Sequence, residues 1–436
     1  MSRPTVTLCM IVKDEEHIIR ECLESISPYI DRYDITDTGS SDTTKKVIKD
    51  YFDSVGIPGE IYDSPWEGFG KSRTQSLRNA DKGGADYSWV IDADDKVEGN
   101  FKYPDTFGEH DGYALNIHRG DFNWWRNQIF KNNIGWQYVG VIHEYADSPS
   151  QREKNGNLTV VRLDGDYHIE ARTMGNRTKE FLDDQCAKYL KDAETLHSCL
   201  YNPEDPNYDP TNLRYMFYLA QSYFDASVYD KAYDAYKVRA EAGGWEEEQW
   251  YCVYRMGICK CMEPFRQEES SWAEAQDHFL QAWNIRPQRI EPLYQLARIH
   301  RQNGNPKLGF LFAKSALGIP MPKDDILFLQ REMSDWMIYD EAASTAHEAG
   351  DFDLGLQCSQ KLISENLFPE EHRERITNNF RAYLARKEMI EKAIAEQQQQ
   401  QQQVAAQEKI DKAETLRKKE EMRRVNKRRG KKVRVR

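Results

Sequence analysis

No stretch of this sequence stays apolar for long. TVTLCMIV (residues 5–12) is strongly hydrophobic, but it is short and acidic residues follow at once. A bilayer span needs about 20 apolar residues, and a secretory leader needs a basic start with a longer apolar core. The chain is therefore expected to have no membrane span and to be cytoplasmic. Cysteine spacing is equally uninformative as a framework. The eight cysteines (9, 22, 186, 199, 252, 259, 261 and 358) are scattered, and the one close pair, Cys259-x-Cys261, lacks metal-site spacing. They read as reduced thiols of a cytosolic protein. Positive charge is scarce in the body of the chain. From Glu408 onward there are 14 Lys/Arg against 5 Asp/Glu, so this tail carries about +9 of a total of −12 and the rest about −21. An acidic body is a poor general partner for nucleic acid, which stays open only for the basic tail.

What is present is enough for two or three domains: 436 residues, 39% hydrophobic and 12% aromatic. The first part alternates. Strand-like TVTLCMIV (5–12) precedes a helix over EEHIIRECLESIS (15–27), with Ile18, Ile19, Cys22, Leu23 and Ile26 on one face. YDIT (33–36) is a second strand ending at DTGSSD. Residues 42–56 form a helix opened by Asp42 as N-cap and closed near a glycine. GEIYD (59–63), GKSRTQSLRNA (70–80) and YSWVID (87–92) continue as strand, helix and strand. This alternation predicts a mostly parallel sheet with helices on both faces, which binds ligands at the carboxyl ends of its strands. The polar clusters KDEE, DTGSSD and DADD all fall at such ends.

From about Arg177 the pattern becomes helical. Residues 214–241, 291–318 and 336–365 each read as a helix pair, the last two turning at NGNP and AGDF, and 246–261 with 271–287 as a further pair. Small residues at the turns resemble those of tetratricopeptide repeats. The aromatics of this region read as packing. Beyond about Arg386 the chain is glutamine-rich and then basic, helical or disordered: either a solvated tail or a weak tether to an anionic surface. The expected domains are 1–175, 176–385 and 386–436.

The chemistry concentrates in SWVIDADDKV (88–97), where an apolar strand ends in Asp92, Asp94 and Asp95. Carboxylates this close raise one another's pKa unless a cation neutralises them. The bland alternative is a solvated acidic turn. A D-x-D after a strand also occurs in haloacid-dehalogenase-type phosphatases, but those place it on the first strand and want Thr or Val where Lys96 stands here.

Four stretches in order, TLCMIVKDEEHIIRECLESI, DITDTGSSDTT, GFGKSRTQSLRNA and WVIDADD, resemble glycosyltransferase family 2 of the GT-A fold, in the branch whose catalytic domain runs into helical repeats. The resemblance covers roughly residues 5–175 and the domain order. It implies an α/β then all-α architecture: a Rossmann-like mixed sheet followed by a TPR-like solenoid. It implies an inverting transfer from a nucleotide-sugar, with UDP-sugar as the expected donor, assisted by Mn²⁺ or Mg²⁺. Oxygen ligands suit these ions, which act as Lewis acid and template for the departing diphosphate.

Carried over residue by residue, the resemblance puts Asp94 on the metal and Asp92 on the metal through water or on the ribose. Asp95 is a ligand or supports one. Glu15 and Asp37 would hold the base and ribose. Arg73, and Lys71 if it is not merely a surface lysine, would face the diphosphate; the family commonly has Arg-Asn where this chain has Arg73-Thr74. In NQIFKNNIGWQYVGVIHEYA (127–146), Glu144 is the candidate general base and His143 a positioning residue. His168 is either structural or completes the metal shell, in which case manganese is favoured. Trp124, Trp125 and Trp136 either stack on sugar or acceptor or pack internally. The acceptor class is peptide, protein or glycan, presented by the repeats, which could instead pair two copies into a homodimer. Two other classes stand beside this one. A catalytically inactive scaffold would have lost the D-x-D first, and here the acidic positions are filled. A nucleotidyltransferase would need a glycine-rich basic loop after the first strand, where this chain has KDEEHI.

Overall fold

The apolar run at the start becomes the middle of a sheet. In the computed structural model, which describes residues 3–120, 122–175, 184–268 and 270–432, β1 (Val6–Val12) is flanked on both sides by parallel partners. These are β2 (Arg32–Asp37) and β4 (Tyr87–Val90), with β3 (Gly59–Asp63) parallel outside β2. A strand covered on both faces needs an unbroken apolar sequence, and Val6, Leu8, Cys9, Met10 and Val12 are all buried. Helix α1 (Ile19–Ile26) buries Ile19, Cys22, Leu23 and Ile26. It starts later than the sequence suggests because Asp14 takes a left-handed φ of 57° and the Glu15 carbonyl accepts from the amides of Ile18 and Ile19. Helix α2 (Thr44–Val55) opens where Asp42 Oδ1 accepts from the Thr44 amide at 2.9 Å, so Asp42 does the capping work, and it closes on Gly56 at φ 71°.

Beyond β4 the sheet turns mixed. The order is β3-β2-β1-β4-β7-β6-β11-β5, with β7 (Phe122–Lys131) antiparallel to both β4 and β6 (Gly112–Arg119). β11 (Tyr167–Glu170) runs parallel to β6 and antiparallel to β5 (Lys96–Gly99), and β10 (Val160–Arg162) pairs β6 off this path. β4 stops at Val90, two residues short of the expected strand, because its antiparallel partner β7 pairs only as far as Ile129 with Trp89. Asp92 is thereby released from the ladder into the open carboxyl end of the sheet.

Helix α3 (Phe69–Gly83) supports a two-stranded flap, β8 (Gln137–Val139) with β9 (Tyr145–Asp147). Its Gly70 backs directly onto that flap: a Cβ there would lie 2.3 Å from the Gly140 carbonyl oxygen. Thr74, standing where the resembling family has asparagine, ties the two together. Its hydroxyl accepts from the Tyr138 amide at 2.8 Å and donates to the Gly70 carbonyl at 2.7 Å.

Helices follow: Gln185–Tyr201, Leu213–Asp225, Tyr229–Glu241 and Glu246–Lys260, and then Glu291–Gln302, Pro306–Ala316, Ile338–Ala349 and Phe352–Glu365. The helix pairs and their turns fall where the sequence places them. The packing divides differently from the expected boundary at 175. One compact unit runs from Met1 to Trp272 and the other from Ala273 to Arg436. The reason lies in helix Leu213–Asp225, whose side chains reach the loop between β8 and β9. The C-terminal segment is one helix, Arg373–Lys432, and residues 384–427 along it are exposed. Among the described residues no helix is long and apolar enough to cross a membrane.

Candidate active site

The three aspartates after β4 do not face one another freely; each is held by different groups. Asp92 Oδ1 accepts from Arg73 Nη2 at 2.6 Å, and Arg126 Nη1 stands 3.6 Å from its Oδ2. Burial works against its charge, but the two guanidinium groups outweigh it and keep its pKa below the usual carboxylate range. Asp95 is buried and accepts from Arg126 Nη2 at 2.9 Å. Here burial wins, followed by the negative charge of Asp92, and the pKa is pushed up despite Arg126. Asp94 turns the other way. Its Oδ2 accepts from the backbone amides of Met174 and Gly175, each at 3.0 Å, while its carbonyl accepts from Arg172 Nε at 2.6 Å. Glu15 belongs to this same corner: a Cβ on Gly175 would lie 3.3 Å from both Asp94 Oδ2 and Glu15 Oε1.

Arg73 joins the cluster to the flap. Its Nε lies 2.9 Å from Glu144 Oε1 as an ion pair without hydrogen-bond alignment, and its guanidinium sits 5.7 Å from the centre of the Tyr138 ring. Burial opposes the charge of Arg73, and Asp92, Tyr138 and Glu144 reverse the effect, leaving it more firmly protonated than a free arginine. His143, beside Glu144, has a left-handed φ of 53°. A non-glycine residue in that region is strained and needs support. The helix Leu213–Asp225 supplies it. Arg214 donates from Nε and Nη2 to the His143 carbonyl at 3.2 and 2.6 Å, and Tyr218 stacks on the imidazole at 4.0 Å between centroids.

Asp37 ends β2 level with Val12 of β1. Its Oδ1 accepts from the amides of Gly39 and Ser40, while its Oδ2 is buried with no hydrogen-bond partner among the described residues. A buried carboxylate oxygen left open is costly unless something occupies it. Lys71 is exposed at the start of α3.

Residues 7–117 match the model of glycosyl transferase family 2. This segment is a family 2 glycosyltransferase domain. A TPR repeat-containing protein of Synechococcus elongatus is 25% identical over 209 residues, which cover 43% of this chain and 49% of that one. The chain thus spans about half the length of this curated relative. Among solved structures, MamA aligns at 16% identity over 44% of this chain and 91% of its own, with a TM-score of 0.30. Staphylococcus aureus TarS 1–349 with UDP-GlcNAc aligns at 10% identity over 74% and 98%, with a TM-score of 0.29. Overlaps this slight carry no argument about the present chain.

In the transferase domain, the structure brings Asp92, Arg73 and Glu144 together, and Asp94 with Glu15. It sets His168 apart. In the antiparallel ladder of β5 and β11, His168 pairs with Glu98 and Glu170 with Lys96, so continuing the register puts residue 172 beside Asp94. His168 is four residues away, roughly 13 Å along a strand, and stacks on His118 at 4.2 Å. The expected metal shell of Asp92, Asp94 and His168 is therefore not assembled, and among the described residues no group of three His, Cys, Asp or Glu side chains is poised around one ion. Trp136 is core packing and Trp124 packs against the core, whereas Trp125 lines the cavity beside Asp92.

Sequence reasoning missed Arg126, Arg172, Gln128 and Arg214. Their partners lie 31, 78 and 71 residues distant for Arg126, Arg172 and Arg214. Only Arg126 had a local sign, an arginine in the aromatic stretch before NQIF.

Proposed function

We propose that the protein is an inverting glycosyltransferase that takes a sugar from a UDP-sugar and passes it to a hydroxyl of a peptide, protein or glycan. The reading rests on one observation above the others. At the carboxyl end of β4, in a segment that matches family 2, Arg73 bridges Asp92 of the D-x-D to Glu144 of the flap. An arginine in that place faces both a departing diphosphate and the group that activates the acceptor.

Asp37, with its open oxygen, and Glu15 would accept hydrogen bonds from ribose hydroxyls and the base imide. Asp94 and Asp92 would hold the divalent ion. The donor set fits such an ion. All of its ligands are oxygens, and burial together with the neighbouring Asp92 charge keeps the Asp95 carboxyl pKa raised, which a cation would relieve. Mn²⁺ or Mg²⁺ bound there would supply Lewis-acid stabilisation of the leaving diphosphate. With His168 elsewhere, nothing favours manganese over magnesium. Glu144 would take the proton of the acceptor hydroxyl as its oxygen bonds to the anomeric carbon, while the bond from that carbon to the UDP oxygen breaks on the opposite face. His143 would orient the acceptor, and Arg73 would follow the charge from Glu144 to the released diphosphate. The helical repeats would present the acceptor, since their helix Leu213–Asp225 already holds the flap.

Thermal melting with UDP and a panel of UDP-sugars, each with and without Mn²⁺ or Mg²⁺, tests the reading. A metal-dependent stabilisation by UDP, lost in Asp94→Ala, supports it. At a hundredfold excess over the dissociation constant the effect is about 2.7 kcal/mol. No response to any nucleotide would favour a binding scaffold instead.

A further inference from the structure

A cavity of about 480 Å³ opens beside Asp92, Arg73 and Glu144, and its wall contains a side chain with no evident job. Gln128 is 1% exposed, and neither its Oε1 nor its Nε2 has a hydrogen-bond partner among the described residues. Buried amides are almost always satisfied, and an exception in a native protein calls for an explanation. The backbone supplies half of one. Across β6 and β7, Tyr113 pairs with Ile129 and Ala114 with Asn127, so Gln128 is the extra residue of a β-bulge. Bulges of this kind occur beside active sites, where they re-aim a side chain. Trp125, Arg126, Asn127 and Gln128 all line the cavity.

We propose that Gln128 is the sugar-reading residue of the transferase site, taking the vicinal diol of the donor's hexose through both atoms of its amide. The inference rests on the function proposed above and adds the recognition of the sugar. A primary amide offers a donor and an acceptor on one edge, and two adjacent ring hydroxyls match that edge, one accepting from Nε2 and the other donating to Oε1. Trp125 and Tyr138 supply apolar ring surface to the same space. The position also fits. Asp94, the candidate metal ligand, does not line the cavity, whereas Asp92 and Glu144 do, so a hexose there lies between the diphosphate end and the base. A site built to bond hydroxyls rejects analogues without them, because its buried polar atoms are then left open.

The test compares the full-length protein with Gln128→Met, which keeps the volume and removes the amide, and with Gln128→Glu, which accepts but cannot donate. Affinities for UDP, UDP-glucose, UDP-galactose and a ring-deoxy UDP-hexose are measured by thermal shift and calorimetry with Mn²⁺. The wild type should bind one UDP-hexose more tightly than UDP and than its deoxy analogue. In Gln128→Met, UDP binding should be unchanged, the extra affinity of the hexose should fall roughly tenfold, and the melting temperature without ligand should not drop, since the amide loses no partner. Gln128→Glu should lose the hexose increment as well. A hexose increment that survives both substitutions overturns the proposal, and so does a clear fall in the melting temperature of the unliganded Met variant. Absence of UDP binding in the wild type would overturn the proposed function itself, and this inference with it.

Discussion

Buried arginines and carboxylates meet differently in two regions of this molecule. In the helical unit the pairs are closed. Arg289 and Glu291, two residues apart, are both buried and lie 2.7 Å from each other, and Arg289 also donates to the carbonyls of Leu327 and Phe328 and stands 3.5 Å from Asp325. Arg301 grips Glu341 with two bonds of 2.6 and 2.8 Å. In the transferase domain some buried charged atoms stay open. Among the described residues, the buried carboxylate or guanidinium atoms without a hydrogen bond belong to Asp37, Arg73 and Arg172, all in that domain. A closed pair fixes a helix packing. An open cluster holds capacity for a ligand, because its unpaired atoms and surplus charge are what an ion, a phosphate or a sugar would satisfy.

The sharpest way to break this comparison is to remove charge from the open cluster. Asp94→Ala should lower transfer activity by about a thousandfold, through loss of the metal-held diphosphate contact, with a modest fall in the unliganded melting point because the Met174 and Gly175 amides lose their acceptor; a radiolabelled-sugar transfer assay beside a melting curve reads both. Next, Glu144→Gln should cost about 10² to 10⁴ in kcat while metal-dependent UDP binding persists, which calorimetry checks. If UDP binding falls along with kcat, Glu144 acts on the donor and not as the base.

The closed pairs should show the opposite pattern. Glu291→Ala removes the nearer of the two carboxylates on the buried Arg289 guanidinium, with Asp325 at 3.5 Å remaining, and should destabilise by roughly 2 kcal/mol, measured by urea unfolding, without changing nucleotide affinity. Replacing both partners, Arg289→Met with Glu291→Leu, should recover most of that loss. Between the two patterns stands Arg214, a positioning residue for the strained His143. Arg214→Ala should lower kcat by about tenfold and leave the affinity for UDP intact. The smallest effect concerns acid. Burial opposes the charge of Asp325, but Arg286 at 2.5 Å and Arg289 hold its pKa below the ordinary value. A depressed folded-state pKa contributes stability above the unfolded pKa and loses it as pH falls through the folded one. Asp325→Asn should therefore flatten the acid side of the stability curve between about pH 5 and 2, as followed by urea midpoints.

Much of the architecture was legible because local patterns carry it. The unbroken apolar run of β1 could only be a strand covered on both faces, and the 3.6-residue apolar spacing with NGNP and AGDF turns could only be helix pairs. Asp37, Asp92 and Asp94 were legible because parallel strands deliver their carboxyl ends to one edge, so the acidic clusters after β2 and β4 had to gather there. The place of His168 was not legible in the sequence, because the ladder of β5 and β11 sets it, pairing it with Glu98 and stacking it on His118.

The sequence by itself determined the order of the elements, the acidic edge of the sheet and the change from sheet to helical repeats, all of which follow from periodicity and from the sign of nearby charges. Only the tertiary structure decided which charges meet. Arg73 reaches Asp92 and Glu144 because α3 packs on the flap through Gly70, and Arg214 reaches His143 because a repeat helix folds back onto that loop. Gln128 faces the cavity because one residue too many stands opposite β6. Such contacts depend on the register and packing of segments far apart in the chain, and a one-residue shift in a strand changes which face a side chain takes.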